Sequence, residues 1–206
     1  MDLLVATRSR GKLSEIKAIL AEVLGLRVLD LEEAGVPHDP AEDALEPHDT
    51  FEENALSKAR HFRALSGLPT VADDSGLEVD ALGGAPGVRS KRFAPDTDAD
   101  GEELDEANNR YLLRCLEGVP PSARAARYVC VAVLVEGEGR WSAFRGEAVG
   151  EILPAGRGSG GFGYDPLFLD PELGKTFAEI PQEVKNRKSH RGNAFRALVE
   201  SLRRRR

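Results

Sequence analysis

Thiols are scarce in this chain: Cys115 and Cys130 are its only cysteines, and their spacing matches no metal-ligand motif. A disulfide-built secreted domain is thereby disfavoured, and a reducing, cytoplasmic setting fits best. Long apolar runs are also missing. The longest, residues 129–135, falls far short of the ~20 residues that a membrane helix needs, so no membrane partner is expected. The opening Met1-Asp2 shows no basic start before an apolar stretch, and no secretory signal is expected. Positive charge is in deficit as well, with 28 Lys and Arg against 35 Asp and Glu and a formal net charge of −7. General nucleic-acid surfaces are basic, so DNA and RNA are not expected partners. The basic cluster at residues 203–206 departs from the acidic average and reads as a solvated, disordered tail.

What is present suits a globular protein, with 41% hydrophobic and 31% charged residues. A chain of 206 residues can form one sizeable domain, or two lobes sharing one core. Residues 3–6 read as a short buried strand, followed by the polar turn Thr7-Arg8-Ser9-Arg10-Gly11-Lys12. Leu13, Ile16, Leu20, Val23 and Leu24 then recur with helical spacing, and Gly25 is a stop signal. Residues 30–49, rich in Pro, Asp, Glu and His, predict a loop. A second helix begins at Thr50, which with Glu53 makes a capping box ahead of the stripe Phe51, Ala55, Ala59 and Phe62.

Residues 70–72 predict a strand that runs into Asp73-Asp74-Ser75-Gly76, and residues 77–82 a half-buried strand before the Gly83-Gly84-Ala85-Pro86-Gly87 turn. A helix is predicted over 101–116, and paired strands over 128–135 and 141–153. A glycine-rich loop, 156–163, precedes Tyr164-Asp165-Pro166, and a last helix over 189–202 buries Phe195, Leu198, Val199 and Leu202. Helices and strands alternate without an internal repeat, so the fold class is α/β with a mixed sheet.

Four segments carry candidate chemistry. In the first turn, backbone N–H groups at a helix start attract anions, and Arg8, Arg10 and Lys12 add full charges. It is not a Walker loop, which would need Gly at Ala6 and Ser or Thr at Leu13. Alone, it reads equally well as a solvated basic turn. The second segment is Asp73-Asp74, with Glu46, Glu52 and Glu53. Adjacent acids in extended backbone point opposite ways, and hard oxygen ligands suit Mg²⁺, which takes one or two carboxylates plus waters and phosphates. Glu53 needs no chemistry beyond its cap, and Asp73-Asp74-Ser75-Gly76 also reads as a polar turn. Asn54 and Lys58, four apart, share one side of the second helix, which either aims Lys58 at a phosphate or, as is commoner, leaves it a surface lysine at the helix edge.

The third segment, Gly156-Arg157-Gly158-Ser159-Gly160-Gly161, matches the dinucleotide fingerprint in form only. No helix can start in the Phe162-Gly163-Tyr164-Asp165-Pro166 that follows. The glycines allow close approach of a flat ligand on which Phe162 or Tyr164 stacks, or else form a flexible hairpin with core aromatics. The fourth is Lys185 to Arg191. With Ser189 as cap, His190 and Arg191 occupy a first helical turn, where cations oppose the macrodipole and an acceptor-rich ligand would offset them.

These segments together resemble the noncanonical purine nucleoside triphosphate pyrophosphatases, also called inosine triphosphate pyrophosphatases. The resemblance rests on Leu4-Val5-Ala6-Thr7 through Gly11-Lys12, Thr50-Phe51-Glu52-Glu53-Asn54-Ala55, Ala72-Asp73-Asp74-Ser75-Gly76-Leu77, Leu82-Gly83-Gly84-Ala85-Pro86-Gly87, Gly160-Gly161-Phe162-Gly163-Tyr164-Asp165-Pro166 and Ser189-His190-Arg191-Gly192, in the family's order. It implies an elongated mixed β-sheet flanked by helices, two lobes around a central substrate cleft, a single domain over 1–206, and a homodimer. It further implies Mg²⁺-dependent hydrolysis of inosine, deoxyinosine and xanthosine triphosphates to the monophosphate and pyrophosphate. Carried over by position, Thr7, Arg8, Ser9, Arg10, Gly11 and Lys12 would bind the phosphates with help from Lys58. Glu46 and Asp74 would hold the metal, Asp74 also acting as the base, and Ser75 would touch substrate. Phe162, Gly163, Tyr164, Asp165, Lys185, His190 and Arg191 would hold base and sugar. The six-position oxygen of inosine and xanthosine can accept from Arg191 or from a backbone N–H.

Two departures stand out. Ser9 replaces the family's usual Asn, and Glu46-Pro47-His48-Asp49 replaces its Glu-Thr-Gly. The rival readings are a related pyrophosphatase for modified pyrimidine nucleotides and a non-catalytic nucleotide-binding protein.

Overall fold

The first apolar run becomes strand β1 (Asp2–Val5) in the computed structural model, which describes residues 1–95 and 101–204. Ser9 caps helix α1 (Arg10–Leu20), which buries Ile16, Ile19 and Leu20. Strand β2 (Arg27–Leu29) then pairs in parallel with β1, Leu3 opposite Val28. Three residues are too few to show an alternating pattern, and this strand is not visible in the sequence.

The expected loop before the second helix contains a short 3-10 helix at Pro40–Leu45, capped reciprocally by Asp39 and Glu42. Helix α2 (Phe51–Ser66) starts as expected, the Thr50 side chain accepting from the Glu53 N–H, and ends at Gly67, whose φ of 71° suits glycine. Strand β3 (Thr70–Val79) runs unbroken for 10 residues. The polar-turn reading of Asp73 to Gly76 is therefore wrong: the strand that pairs with β1 at Thr70 and Val71 runs on through these residues. The strand stops at Val79, and the expected extension to Leu82 is a 3-10 turn, Asp80–Leu82.

Helix α3 (Gly101–Cys115) follows. Strands β4 (Ala125–Gly137) and β5 (Arg140–Ile152) are joined by Glu138-Gly139, a link too short for anything but an antiparallel hairpin. Two further short strands, β6 (Phe168–Asp170) and β7 (Lys175–Thr176), extend the sheet antiparallel. The strand order is β2-β1-β3-β4-β5-β6-β7, a mixed sheet as expected. Helices α4 (Gln182–Lys188) and α5 (His190–Arg204) end the description. Arg203 and Arg204 belong to α5, and Arg203 donates to the Glu22 carbonyl; the expected disordered tail therefore does not begin at 203, and Arg205 and Arg206 lie outside the described residues. Among the described residues, no helix is long and apolar enough to cross a membrane.

The chain divides into two compact units. The first comprises Met1–Asp74, Cys130–Gly146 and His190–Arg206. Its core joins β1, α1, β4 and α5 through Leu3, Ile16, Leu20, Cys130, Phe195 and Leu198. The second comprises Ser75–Val129 and Glu147–Ser189, and centres on Leu77, Leu112, Tyr128, Phe168 and Phe177. Within the first unit α5 lies so close to β5 that a Cβ on Gly146 would stand 2.3 Å from Ala194 N and His190 O. Gly146→Ala is expected to cost about 1–3 kcal/mol of stability, since backbone and not a flexible side chain must yield; urea unfolding measures it.

Candidate active site

β1 leads into the basic turn. The Thr7 hydroxyl accepts from Ser9 N at 3.2 Å, and the Ser9 hydroxyl from Lys12 N at 3.4 Å. Ser and Asn are comparable N-caps, so the departure from Asn leaves this local role intact. Arg10 and Gly11 open α1. Lys12 Nζ lies 3.3 Å from Asp73 Oδ2. Arg8 makes its contacts with Glu42 and the carbonyls of Val36 and Pro37.

The two adjacent acids of β3 lead separate lives. Asp73 is buried, and its Oδ2 meets Arg191 Nε at 3.4 Å and Cys130 Sγ at 3.8 Å besides Lys12. Burial alone would favour the neutral acid, but Lys12, Arg191 and Lys58 outweigh it and hold the Asp73 carboxyl far below the usual carboxylate range. Arg191 Nη1 also pairs with Glu15 Oε2 at 2.5 Å. Burial and Asp73 together push the Cys130 thiol up, which makes it a poor nucleophile.

Asp74 instead faces Asn54, whose Nδ2 donates to its Oδ2 at 3.1 Å and to the His48 carbonyl at the same distance. The Asn54 Oδ1 accepts from His48 N at 2.8 Å. One buried amide thus fixes both Asp74 and the segment after Glu46. Burial raises the Asp74 pKa; Lys58 and Lys12 pull it down, and Glu46 pushes it up again. Lys58 Nζ donates to the Asp73 carbonyl at 2.6 Å and to the Glu46 carboxylate. Although burial disfavours its charge, Glu46, Asp74 and Asp73 leave its pKa raised. Neighbouring carboxylates pushed apart in pKa are what acid–base chemistry requires.

In the second unit, Asp165 organises the loop at 162–165. Its Oδ2 accepts from Lys185 Nζ at 2.5 Å and from Phe162 N at 2.9 Å, and its Oδ1 from Tyr128 OH at 3.4 Å. Lys185 Nζ lies 4.6 Å from the Phe162 ring centroid. Gly163 N donates to Asp105 at 2.6 Å, and its carbonyl accepts from Asn109 at 2.9 Å. Gly161, at φ 72°, has no room for a Cβ, which would fall 2.0 Å from Asp165 Oδ2. Tyr164 is buried with its hydroxyl donating to the Ser90 carbonyl at 2.8 Å, while Phe162 is 38% exposed. Of the two rings considered for stacking, Phe162 is the accessible one. Ser75, the first residue of this unit, is half-buried in β3.

A sequence model of the Ham1 family matches residues 3–201. This chain belongs to the Ham1 family. A dITP/XTP pyrophosphatase of Ralstonia nicotianae is 49% identical over 98% of this chain and 96% of its own length. That of Thermus thermophilus is 47% identical over 98% of this chain and 91% of its own length. Among solved structures, a HAM1 protein of Coxiella burnetii superposes with a TM-score of 0.85 at 37% identity, covering 99% of both chains. A nucleoside-triphosphatase / dITP/XTP pyrophosphatase of Mycobacterium abscessus gives 0.73 at 38% identity, covering 96% of this chain and 98% of that one. The Ham1 motifs are distributed over both units: His190 and Arg191 belong to the unit of Lys12 and Asp73, and Phe162 to Asp165 and Lys185 to the other.

Glu15 is the site residue not singled out in the sequence, although it stands as an acid within the stripe of buried positions on α1. For Asn54 and Asp73 it is the roles, an anchor for Asp74 and a charge hub, that the sequence does not reveal.

Proposed function

We propose that this chain hydrolyses noncanonical purine nucleoside triphosphates, those of inosine, deoxyinosine and xanthosine, to the monophosphate and pyrophosphate, with Mg²⁺, in the cytoplasm and as a homodimer. The dITP/XTP pyrophosphatase relatives support the substrate class. The observation that carries the chemistry is Asp74: a buried carboxylate with a raised pKa, anchored by Asn54 and accompanied by Lys58 and Lys12.

In this reading Asp74 accepts the proton of the water that attacks the α-phosphorus. Lys12, Arg10, Lys58 and the N–H groups at the start of α1 bear on the phosphate charge, with Thr7, Ser9 and Gly11 shaping the turn. Glu46 and Asp74 suit Mg²⁺. They are hard oxygen donors, and Glu46 lies close enough to raise the Asp74 pKa. Among the described residues there is no group of three or more His, Cys, Asp or Glu able to hold a metal, and an ion held by Glu46 and Asp74 would take its remaining ligands from water and phosphate. When bound, the ion would neutralise charge on the departing pyrophosphate. Phe162, Gly163, Tyr164, Asp165, Lys185 and Ser75 are proposed to serve base and sugar. His190 and Arg191 stay in the proposal, with Arg191 Nη1 and Nε already engaged by Glu15 and Asp73.

Inosine triphosphate should yield monophosphate and pyrophosphate in equal amounts, stop on chelation and resume with added Mg²⁺. Adenosine triphosphate should turn over far more slowly. Release of orthophosphate as the first product would overturn the proposal, and binding without turnover would make the chain a nucleotide sensor instead.

A further inference from the structure

The Arg8 guanidinium grips one loop from several sides. Nε and Nη2 donate to the two carboxylate oxygens of Glu42 at 2.9 and 2.7 Å, a bidentate pair. Nη2 also donates to the Pro37 carbonyl at 2.7 Å, and Nη1 and Nη2 share the Val36 carbonyl at 3.3 Å. The Phe62 ring lies against it, 5.9 Å from centroid to guanidinium carbon. All three nitrogens are engaged with protein acceptors, so presenting this fork to a phosphate would mean breaking them.

The gripped loop matters for what it carries. Glu42 caps the 3-10 helix Pro40–Leu45 by accepting from Asp39 N at 3.2 Å, and Glu46 is the residue that terminates that helix. The other end of the grip is the turn that bears Lys12, whose ammonium meets Asp73. Glu46 in turn meets Lys58, and Lys58 the Asp73 carbonyl. With the Glu42 side chain 10% exposed and that of Arg8 32%, the pair is partly shielded from solvent and so stronger than a surface ion pair.

We propose that Arg8 is a positioning residue, clasping residues 36–46 to the turn after β1 so that Glu46 is held ready as a magnesium ligand, and that it does not itself bind substrate phosphate. The assignment of Glu46 to the metal rests on the function proposed above; the clasp does not.

Arg8→Met, Glu42→Gln and the double variant test it in two arms. In the protein without metal or nucleotide, amide hydrogen exchange over 36–46 should speed up about tenfold in each single variant, the scale of a lost charge-assisted pair, and little further in the double. Arg8→Lys should resemble Arg8→Met, because an ammonium cannot reproduce the bidentate fork. With inosine triphosphate, the Mg²⁺ concentration for half-maximal rate should rise in both single variants by more than the nucleotide KM does. Unchanged exchange at 36–46 would overturn the clasp. A raised nucleotide KM in Arg8→Met, with Glu42→Gln behaving as the parent, would return Arg8 to the phosphate ligands. If the parent chain releases no pyrophosphate, the proposed function fails while the exchange arm still decides on the clasp.

Discussion

Asp74→Asn is expected to lower the rate of pyrophosphate release by about 10²–10⁴, the usual worth of a positioned general base. The substitution keeps size and shape and removes only the ability to take a proton. Its effect on the fold should be small or even favourable, and the sign follows from burial. A carboxyl whose pKa is raised on folding binds its proton more tightly in the native state than in the unfolded one. Native stability therefore falls as pH climbs from the ordinary carboxylate value through the raised one, and at neutral pH the ionised Asp74 is a net cost. Removing that charge should leave the urea midpoint unchanged or higher. In the parent, kcat/KM should rise with pH as Asp74 ionises, because only the ionised form is a base. Near-parental turnover in Asp74→Asn would remove this residue from the mechanism, whatever else the assay showed.

Arg191→Met should act in the opposite direction, destabilising the protein by about 3–5 kcal/mol in urea, the range for breaking a buried ion network from one side. Arg191 is 1% exposed, and its loss leaves Glu15 and Asp73, at 3% and 2%, with less compensation. Burial opposes its charge, yet Asp73 and Glu15 raise its pKa further, so the cation is held firmly. Adding Glu15→Gln should restore part of the loss, since an amide costs less to bury than a carboxylate missing its partner. A loss under about 1 kcal/mol would mean that the network matters little to the fold. The low pKa of Asp73 gives the same cluster a pH signature: its contribution is present above the ordinary carboxylate value of 3.8 and is lost as pH falls below it. For substrate selection, the consequence is practical. Removing Arg191 to ask whether it discriminates among purines confounds recognition with folding, and a purine panel must be read beside unfolding data.

Local chemistry was readable in the sequence where it is self-contained. Thr50 caps α2 by accepting from the Glu53 N–H, a contact only three positions away, although the box is not completed because Glu53 accepts from the Thr50 hydroxyl and not from its N–H. The hairpin of β4 and β5 follows from its glycine link. The alternation of Asp73 and Asp74 was also readable, since extended backbone alone sends neighbours to opposite faces. What escaped was decided by distant partners. Strands β2, β6 and β7 have two or three residues each, and exist because a neighbouring strand supplies the ladder. Asp73 to Gly76 looks like a turn in isolation, and sheet pairing overrides it. Arg8 and Lys12 carry like charges four residues apart, and nothing local tells one to meet Glu42 and the other Asp73. Arg191 lies 118 residues from Asp73 and 176 from Glu15, so no pattern within a window could pair them.

That long reach bears on how the protein is made. Asp73 and Glu15 leave the ribosome well before Arg191 does, and until helix α5 follows they have no access to that cation. A nascent or truncated product ending before residue 190 should therefore hold two acids near an apolar core without it, and should be open to proteases that the finished chain resists.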